Sequence, residues 1–163
     1  MELAESAGLS RSDGVDTDEF LATDGPGIFA AGDVAGAWHP VLKRRIRLEH
    51  WSSALNQGPL AARNMLGRAT PYEKLPYFFS DQYDVGLEYT GLATDWDRVV
   101  YRGKPDEREF IAFWLKDDRV KAGMNVNVWD VADDIGALVR SGSPVTVDRL
   151  TDPEVPLGEV LDG

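Results

Sequence analysis

Apolar and polar positions alternate between two rhythms along this chain, and the change of rhythm divides it. Residues 1–14, polar and broken by Gly8 and Gly14, read as the end of a helix and a loop. Residues 15–31 read as short strands around a turn at Asp24-Gly25-Pro26-Gly27. The run Ile28-Phe29-Ala30-Ala31 has the unbroken apolar character of a buried parallel strand, ending at Gly32-Asp33. Helical spacing then predicts a helix from Glu49 to Leu66, with Trp51, Ala54, Leu55, Ala61, Ala62 and Met65 on one face. Pro59 should kink or interrupt it, and Gly67 should stop it.

Beyond a Pro-rich boundary near residues 70–77 the pattern becomes strand-like in four runs: 83–89, 98–101, 109–115 and 120–128. Lys116-Asp117-Asp118-Arg119 reads as a tight antiparallel turn. Residues 109–115 carry large side chains on both faces, which predicts an interior strand. Asp130 is expected to cap a helix to about Ser141, with Ile135, Leu138 and Val139 in its apolar stripe and Gly142 as its stop. The tail from Thr146 is acidic and should pack by Leu150, Val155 and Leu157.

Composition narrows the function. A chain of 163 residues makes one ordinary domain or two small ones. A net charge of -11 argues against nucleic acid and anionic membranes as partners. With 0 cysteines there is no disulfide, thiolate metal site or redox dithiol, and with 2 histidines a zinc site is not expected. No stretch has the apolar length of a signal peptide core or membrane span, so a soluble, cytoplasmic location is expected.

Four features could carry chemistry, and each has a plain structural alternative. Gly32-Asp33-Val34 follows an apolar run, where an α/β fold opens its ligand crevice; Asp33 could accept hydrogen bonds from a polyol or merely cap local amides. Glu49-His50-Trp51 opens the predicted helix, where free amides favour an electron-rich ligand, though such residues also simply pack and cap. Tyr77-Phe78-Phe79 reads as core by its periodicity. Lys43, Arg44, Arg45 and Arg47 form either a solvated hairpin or a docking patch for an acidic partner. No G-x-G-x-x-G occurs, and no Ser/His/Asp arrangement stands out; no residue is assigned a catalytic role.

The segments GVDTDEFLATDGPGIFAAGDVA, RRIRLEHWSSALNQGPLAARNMLG, PYFFSDQYDVGLEYTG and FIAFWLKDDRVKAGMNVN, in this order, resemble FAD-dependent NAD(P)H ferredoxin and rubredoxin reductases. That family includes the reductase components of ring-hydroxylating oxygenases and the apoptosis-inducing-factor proteins. The resemblance covers roughly residues 3–160. It implies hydride transfer from NAD(P)H to FAD and single-electron delivery to a ferredoxin- or rubredoxin-like iron–sulfur acceptor. It further implies that Gly32, Asp33 and Val34 lie along the flavin, with Asp33 on its ribityl hydroxyls. Glu49, His50, Trp51 and Ala54 would lie at the ring side. Phe79 stands where many members have Trp beside the ring, a departure that still allows stacking but puts an indole-specific role in question.

The fold implied is α+β: an antiparallel sheet with flanking helices over residues 73–163, preceded over 1–72 by an incomplete piece of an α/β FAD-binding domain. The family's glycine-rich FAD and nicotinamide loops are not in this sequence. The chain alone is therefore expected to bind flavin weakly or not at all and to be inactive. Its first third is expected to be disordered, or to hide its apolar faces in a homodimer. The alternatives are a non-catalytic protein-interaction module and part of a disulfide reductase.

Overall fold

Two units make up the computed structural model, which describes residues 1–161; the first is Met1–Lys74 and the second begins at Leu75. In the first, a short helix α1 (Glu2–Ser6) precedes three short strands, β1 (Val15–Thr17), β2 (Ala35–His39) and β3 (Arg44–Ile46). A long helix, α2 (Trp51–Met65), closes the unit. Strand β2 is central, parallel to β1 with Val15 opposite Ala35 and antiparallel to β3 with Ala37 opposite Ile46. Leu21, Ala37, Leu60, Ala61 and Tyr72 form the core, with Phe29 and Ala31 packed against it.

The parallel strand lies elsewhere than the apolar pattern implies. Ile28–Ala31 forms no strand; Phe29 makes only an isolated bridge to Ala22, and Ile28 is 42% exposed. The turn at Gly25-Pro26-Gly27 explains this, because Thr23 donates to Ile28 O and Ala30 to Leu21 O. The run is thus paired back onto its own preceding arm, leaving β1 to pair with β2.

Helix α2 corrects two further expectations. Pro59 sits inside it without interrupting it. A proline leaves one upstream carbonyl without its donor, here that of Leu55. Both Leu55 and Pro59 are exposed, so water can serve that carbonyl. The buried side is Ser53, Gln57, Leu60, Ala61 and Asn64, while Trp51, Leu55 and Met65 of the predicted apolar face are exposed. Polar residues can occupy the inward side because their hydrogen bonds are made there. Asn64, for example, donates from Nδ2 to Phe20 O and Thr70 O and accepts from Thr70 N–H.

The second unit is a five-stranded antiparallel sheet in the order β4-β5-β8-β7-β6, with helices after it in sequence. Its strands are β4 (Tyr77–Gln82), β5 (Val85–Gly91), β6 (Arg98–Lys104), β7 (Glu109–Lys116) and β8 (Arg119–Val126). They are followed by α3 (Ala132–Ser141) and α4 (Val147–Thr151). This is the α+β architecture implied by the sequence. Strand β7 is interior, with β8 and β6 on its two sides, as its two-sided apolar pattern requires. Asp117 and Asp118, both at positive φ, close the tight turn to β8.

There are five strands rather than four. Tyr83, the expected start of a strand, is instead the fully exposed turn between β4 and β5, at φ 57°. Tyr77-Phe78-Phe79 is an edge strand rather than core, with Phe79 54% exposed. Asp130 is also not the cap of α3. It lies at φ 62°, and the capping position falls to Val131, whose apolar side chain makes no capping bond. Gly142 does stop α3, at φ 56°.

Helix α3 packs on β8 and β5 through Ile135, Leu138 and Val139. Its approach to the sheet depends on Gly123, where an added Cβ would stand 2.6 Å from Ile135 Cγ2. The tail is tied to edge strand β6 by Arg102, whose guanidinium donates to the carbonyls of Leu150, Pro153 and Val155. No helix among the described residues is long and apolar enough to cross a membrane.

Candidate cofactor-binding site

Gly32, Asp33 and Val34 form a single 3₁₀ turn leading directly into β2. Gly32 has φ 75° and packs on α2, where an added Cβ would stand 3.3 Å from Ala54 Cβ. Both facts favour glycine, the first because a side chain is strained at that φ and the second because the fit is tight. The Gly32 N–H donates to Oε1 of Gln57 at 2.8 Å, a buried bond that fixes the turn to the helix.

This places Asp33 outward. It is exposed, and its carboxylate oxygens accept no hydrogen bond from any described residue. Its backbone carbonyl, by contrast, accepts from Arg47 Nε at 2.7 Å. Arg47 also pairs with Asp13 at 3.3 Å and with Glu49. One guanidinium therefore links the turn, the loop before β1 and the entry to α2.

His50 is the capping residue of α2, in extended conformation, and its carbonyl accepts from the amides of Ser53 and Ala54. The His50 side chain makes no capping bond, and no described residue accepts from the amides of Trp51 and Ser52, which stay open to a ligand at the positive end of the helix dipole. Trp51 is 71% exposed beside them.

Of the residues singled out in the sequence, Gly32, Asp33, Val34, Glu49, His50, Trp51 and Ala54 all belong to the first unit. The turn lies against α2 at Ala54, and Arg47 joins its backbone to Glu49. Phe79 lies in the second unit, on β4 opposite Glu88. The basic residues divide. Lys43 and Arg44 are exposed at the β2–β3 turn. Arg45 instead braces the small sheet, donating to Thr17 O at 2.6 Å and to Gly36 O, with Asp16 3.6 Å away. Arg47 braces the candidate site as described.

Gln57 and the bracing role of Arg47 were not legible as site features. The available signal was Gln57 at position i+4 from Ser53, two polar residues on the side of α2 that also carries Leu60 and Ala61. The phenol of Tyr72 is pushed above its ordinary pKa by burial, an effect that neighbouring Ser53 and Gln57 partly offset. In the second unit, Tyr77 donates to Glu88 Oε1 at 2.6 Å. Its pKa is pushed up to about 12, first by burial and then by that carboxylate.

An exposed carboxylate on a glycine turn, next to an uncapped helix N-terminus, suits a ligand with both hydroxyl donors and an electron-rich ring. Residues 77–161 match the reductase C-terminal family, and residues 1–58 match the pyridine nucleotide-disulphide oxidoreductase family. The ferredoxin–NAD(+) reductase component of the anthranilate 1,2-dioxygenase system of Burkholderia cepacia is 39% identical, over 99% of this chain and 40% of its own length. Among solved structures, the covalent putidaredoxin reductase–putidaredoxin complex matches with TM-score 0.89 and 34% identity, over 99% of this chain and 39% of that one. The ferredoxin reductase for the CYP199A2 system of Rhodopseudomonas palustris matches with TM-score 0.84 and 32% identity, over 97% of this chain and 39% of that one. The chain thus spans about two fifths of the length of these relatives. Through its second unit it belongs to the reductase C-terminal family, joined to a stretch of the pyridine nucleotide-disulphide oxidoreductase family.

Proposed function

We propose that this chain supplies part of the flavin site of an FAD-dependent NAD(P)H reductase that passes electrons to a ferredoxin-like iron–sulfur protein. The observation that carries this reading is the outward Asp33 carboxylate on a turn fixed to α2, whose N-terminal amides are open. The residues fit the group: Gly32 leaves room for close packing, and Asp33 has acceptor capacity that no described residue uses.

Asp33 holds the ribityl hydroxyls, Val34 lies along the cofactor, and the amides of Trp51 and Ser52 hold the electron-rich edge of the ring. The flavin, when bound, accepts a hydride from NAD(P)H and releases its electrons singly. Arg47 keeps the turn and the helix entry in register by binding the Asp33 carbonyl and Glu49 together. Lys43 and Arg44 are the residues we assign to an acidic redox partner, a ferredoxin- or rubredoxin-like protein. Most of the chain's acidic excess lies in residues 75–163, which an acidic partner would avoid.

We assign self-association to the strip of Trp51, Leu55 and Met65 when nothing covers it. The reading is tested by FAD affinity in the native chain and in Asp33→Ala. The native chain should bind weakly, and the variant about tenfold more weakly still, on the scale of one charge-assisted hydrogen bond. Equal affinities would remove Asp33 from the site and the reading with it.

A further inference from the structure

His39 is fully buried at the end of β2, opposite Arg44 of β3 and outside the candidate cofactor site. Residues 40–43 join the two strands. In an ordinary four-residue turn the amide of the fourth residue bonds the carbonyl of the first. Here the turn opens with His39-Pro40, and the Leu42 N–H donates to Nδ1 of the His39 ring at 3.2 Å. The next residue, Lys43, lies at φ 50°, a left-handed conformation that a side chain disfavours. Lys43 and Arg44 follow that bond directly, and both are exposed.

The ring is also held from its other side. Because Nδ1 accepts from Leu42, the proton sits on Nε2, which donates to the Lys74 carbonyl at 3.0 Å. Tyr72 stands edge-on to the ring at 6.0 Å. Lys74 is tied in turn to α2. Its Nζ donates to Asn56 Oδ1 at 3.2 Å, and Asn56 Nδ2 donates to Ser52 O at 2.6 Å. One neutral tautomer satisfies both ring nitrogens, and a half-turn of the ring would put carbon where each nitrogen stands. At 0% exposure, water does not compete for either bond.

We infer that His39 is a positioning residue for partner docking: its buried ring sets the turn from which Lys43 and Arg44 reach an acidic redox protein. The docking half of this inference rests on the assignment of those two cations to that partner; the fixing of the turn does not. A cation on a loose turn must be ordered as the partner arrives, which opposes binding, whereas a turn fixed from the core avoids that penalty. Arg45 and Arg47 of the same basic run are bound to Thr17 O, Gly36 O and Asp33 O, so Lys43 and Arg44 are its outward members.

Two substitutions in the full chain separate the ring nitrogens. His39→Asn keeps an acceptor near Nδ1 and loses the donor to Lys74. His39→Gln keeps an amide nitrogen near Nε2 and loses the acceptor for Leu42. In His39→Gln the Leu42 amide should exchange about three- to tenfold faster, the loss expected for one hydrogen bond. Affinity for an acidic two-iron ferredoxin, titrated at low ionic strength, should fall about threefold or more. His39→Asn should keep both near the native values. An unchanged Leu42 rate in His39→Gln overturns the inference, and so does an equal acceleration in His39→Asn. Ferredoxin that does not bind the native chain, or binds Lys43→Ala/Arg44→Ala as tightly, retires the docking assignment and the inference with it. Ferredoxin that loses affinity for that double variant but not for His39→Gln overturns the inference and leaves the assignment standing. If His39→Gln does not fold, ring-nitrogen NMR of the native chain decides. A proton on Nε2 with a bare Nδ1 supports the inference, and a proton on Nδ1 overturns it.

Discussion

Arg47 donates from Nε to the backbone carbonyl of Asp33 at 2.7 Å, which makes a residue of the basic run a brace of the candidate cofactor site. The same guanidinium pairs with Glu49 and with Asp13. Arg47→Ala should therefore release the Asp33 turn without touching the carboxylate itself. A hydrogen bond involving a charged group contributes about 1.5–3 kcal/mol when well made, and the half-buried position puts this one toward the lower end. FAD affinity should fall about tenfold, while Lys43→Ala should leave it unchanged. Titration calorimetry of the two variants separates bracing from partner docking.

Tyr77 gives the second unit a signature at high pH. Its pKa is raised from 10.0 to about 12, chiefly by burial and next by Glu88. The stability it contributes is fully present below pH 10, where the phenol is neutral in both folded and unfolded chains. That contribution is lost as pH rises toward 12, because the unfolded chain ionises first. The melting temperature of the native chain should drop more steeply over this window than that of Tyr77→Phe. Parallel curves would show that the phenol is not held neutral by the fold.

Gly123 lets α3 approach the sheet. An added methyl would stand 2.6 Å from Ile135 Cγ2 in a fully buried region. Gly123→Ala should cost about 1–3 kcal/mol by overpacking, read as a lower denaturation midpoint. Gly136→Ala on the same helix would meet nothing closer than 3.7 Å and should be neutral or stabilising.

Arg102 holds the tail through three carbonyls, including Val155 O at 2.6 Å. Arg102→Lys keeps the charge but loses the fork, so residues 152–156 should become sensitive to protease while the sheet persists. A cleavage pattern unchanged from the native chain would mean that the tail is held by Leu150 and Leu157 alone.

Most of the fold could be read from the sequence wherever one local rule dominated. The two-sided apolar pattern of β7, the Asp117-Asp118 turn and the Gly142 stop each follow from side-chain or backbone preference at single positions. Reading failed where tertiary pairing overrode the pattern. Ile28–Ala31 looks like a buried strand, but the Gly25-Pro26-Gly27 turn gives its backbone bonds to the preceding arm. Leu55 and Met65 look like the inward face of α2, yet Ser53, Gln57 and Asn64 face inward instead, where the Gly32 amide serves Gln57 and the backbone of Phe20 and Thr70 serves Asn64.

The candidate site divides along the same line. Gly32-Asp33 and the start of α2 stand out as local signals, and the structure brings them together. The side chains that fasten them, Gln57 and Arg47, act over separations of 25 and 14 residues, beyond the reach of any local pattern.

The most direct measurement is amide NMR of the full chain during an FAD titration. Progressive shifts concentrated at Gly32, Asp33, Val34, Trp51 and Ser52, and lost in Asp33→Ala, are predicted. Shifts confined to other residues, or none at the highest flavin concentration reached, would contradict the account.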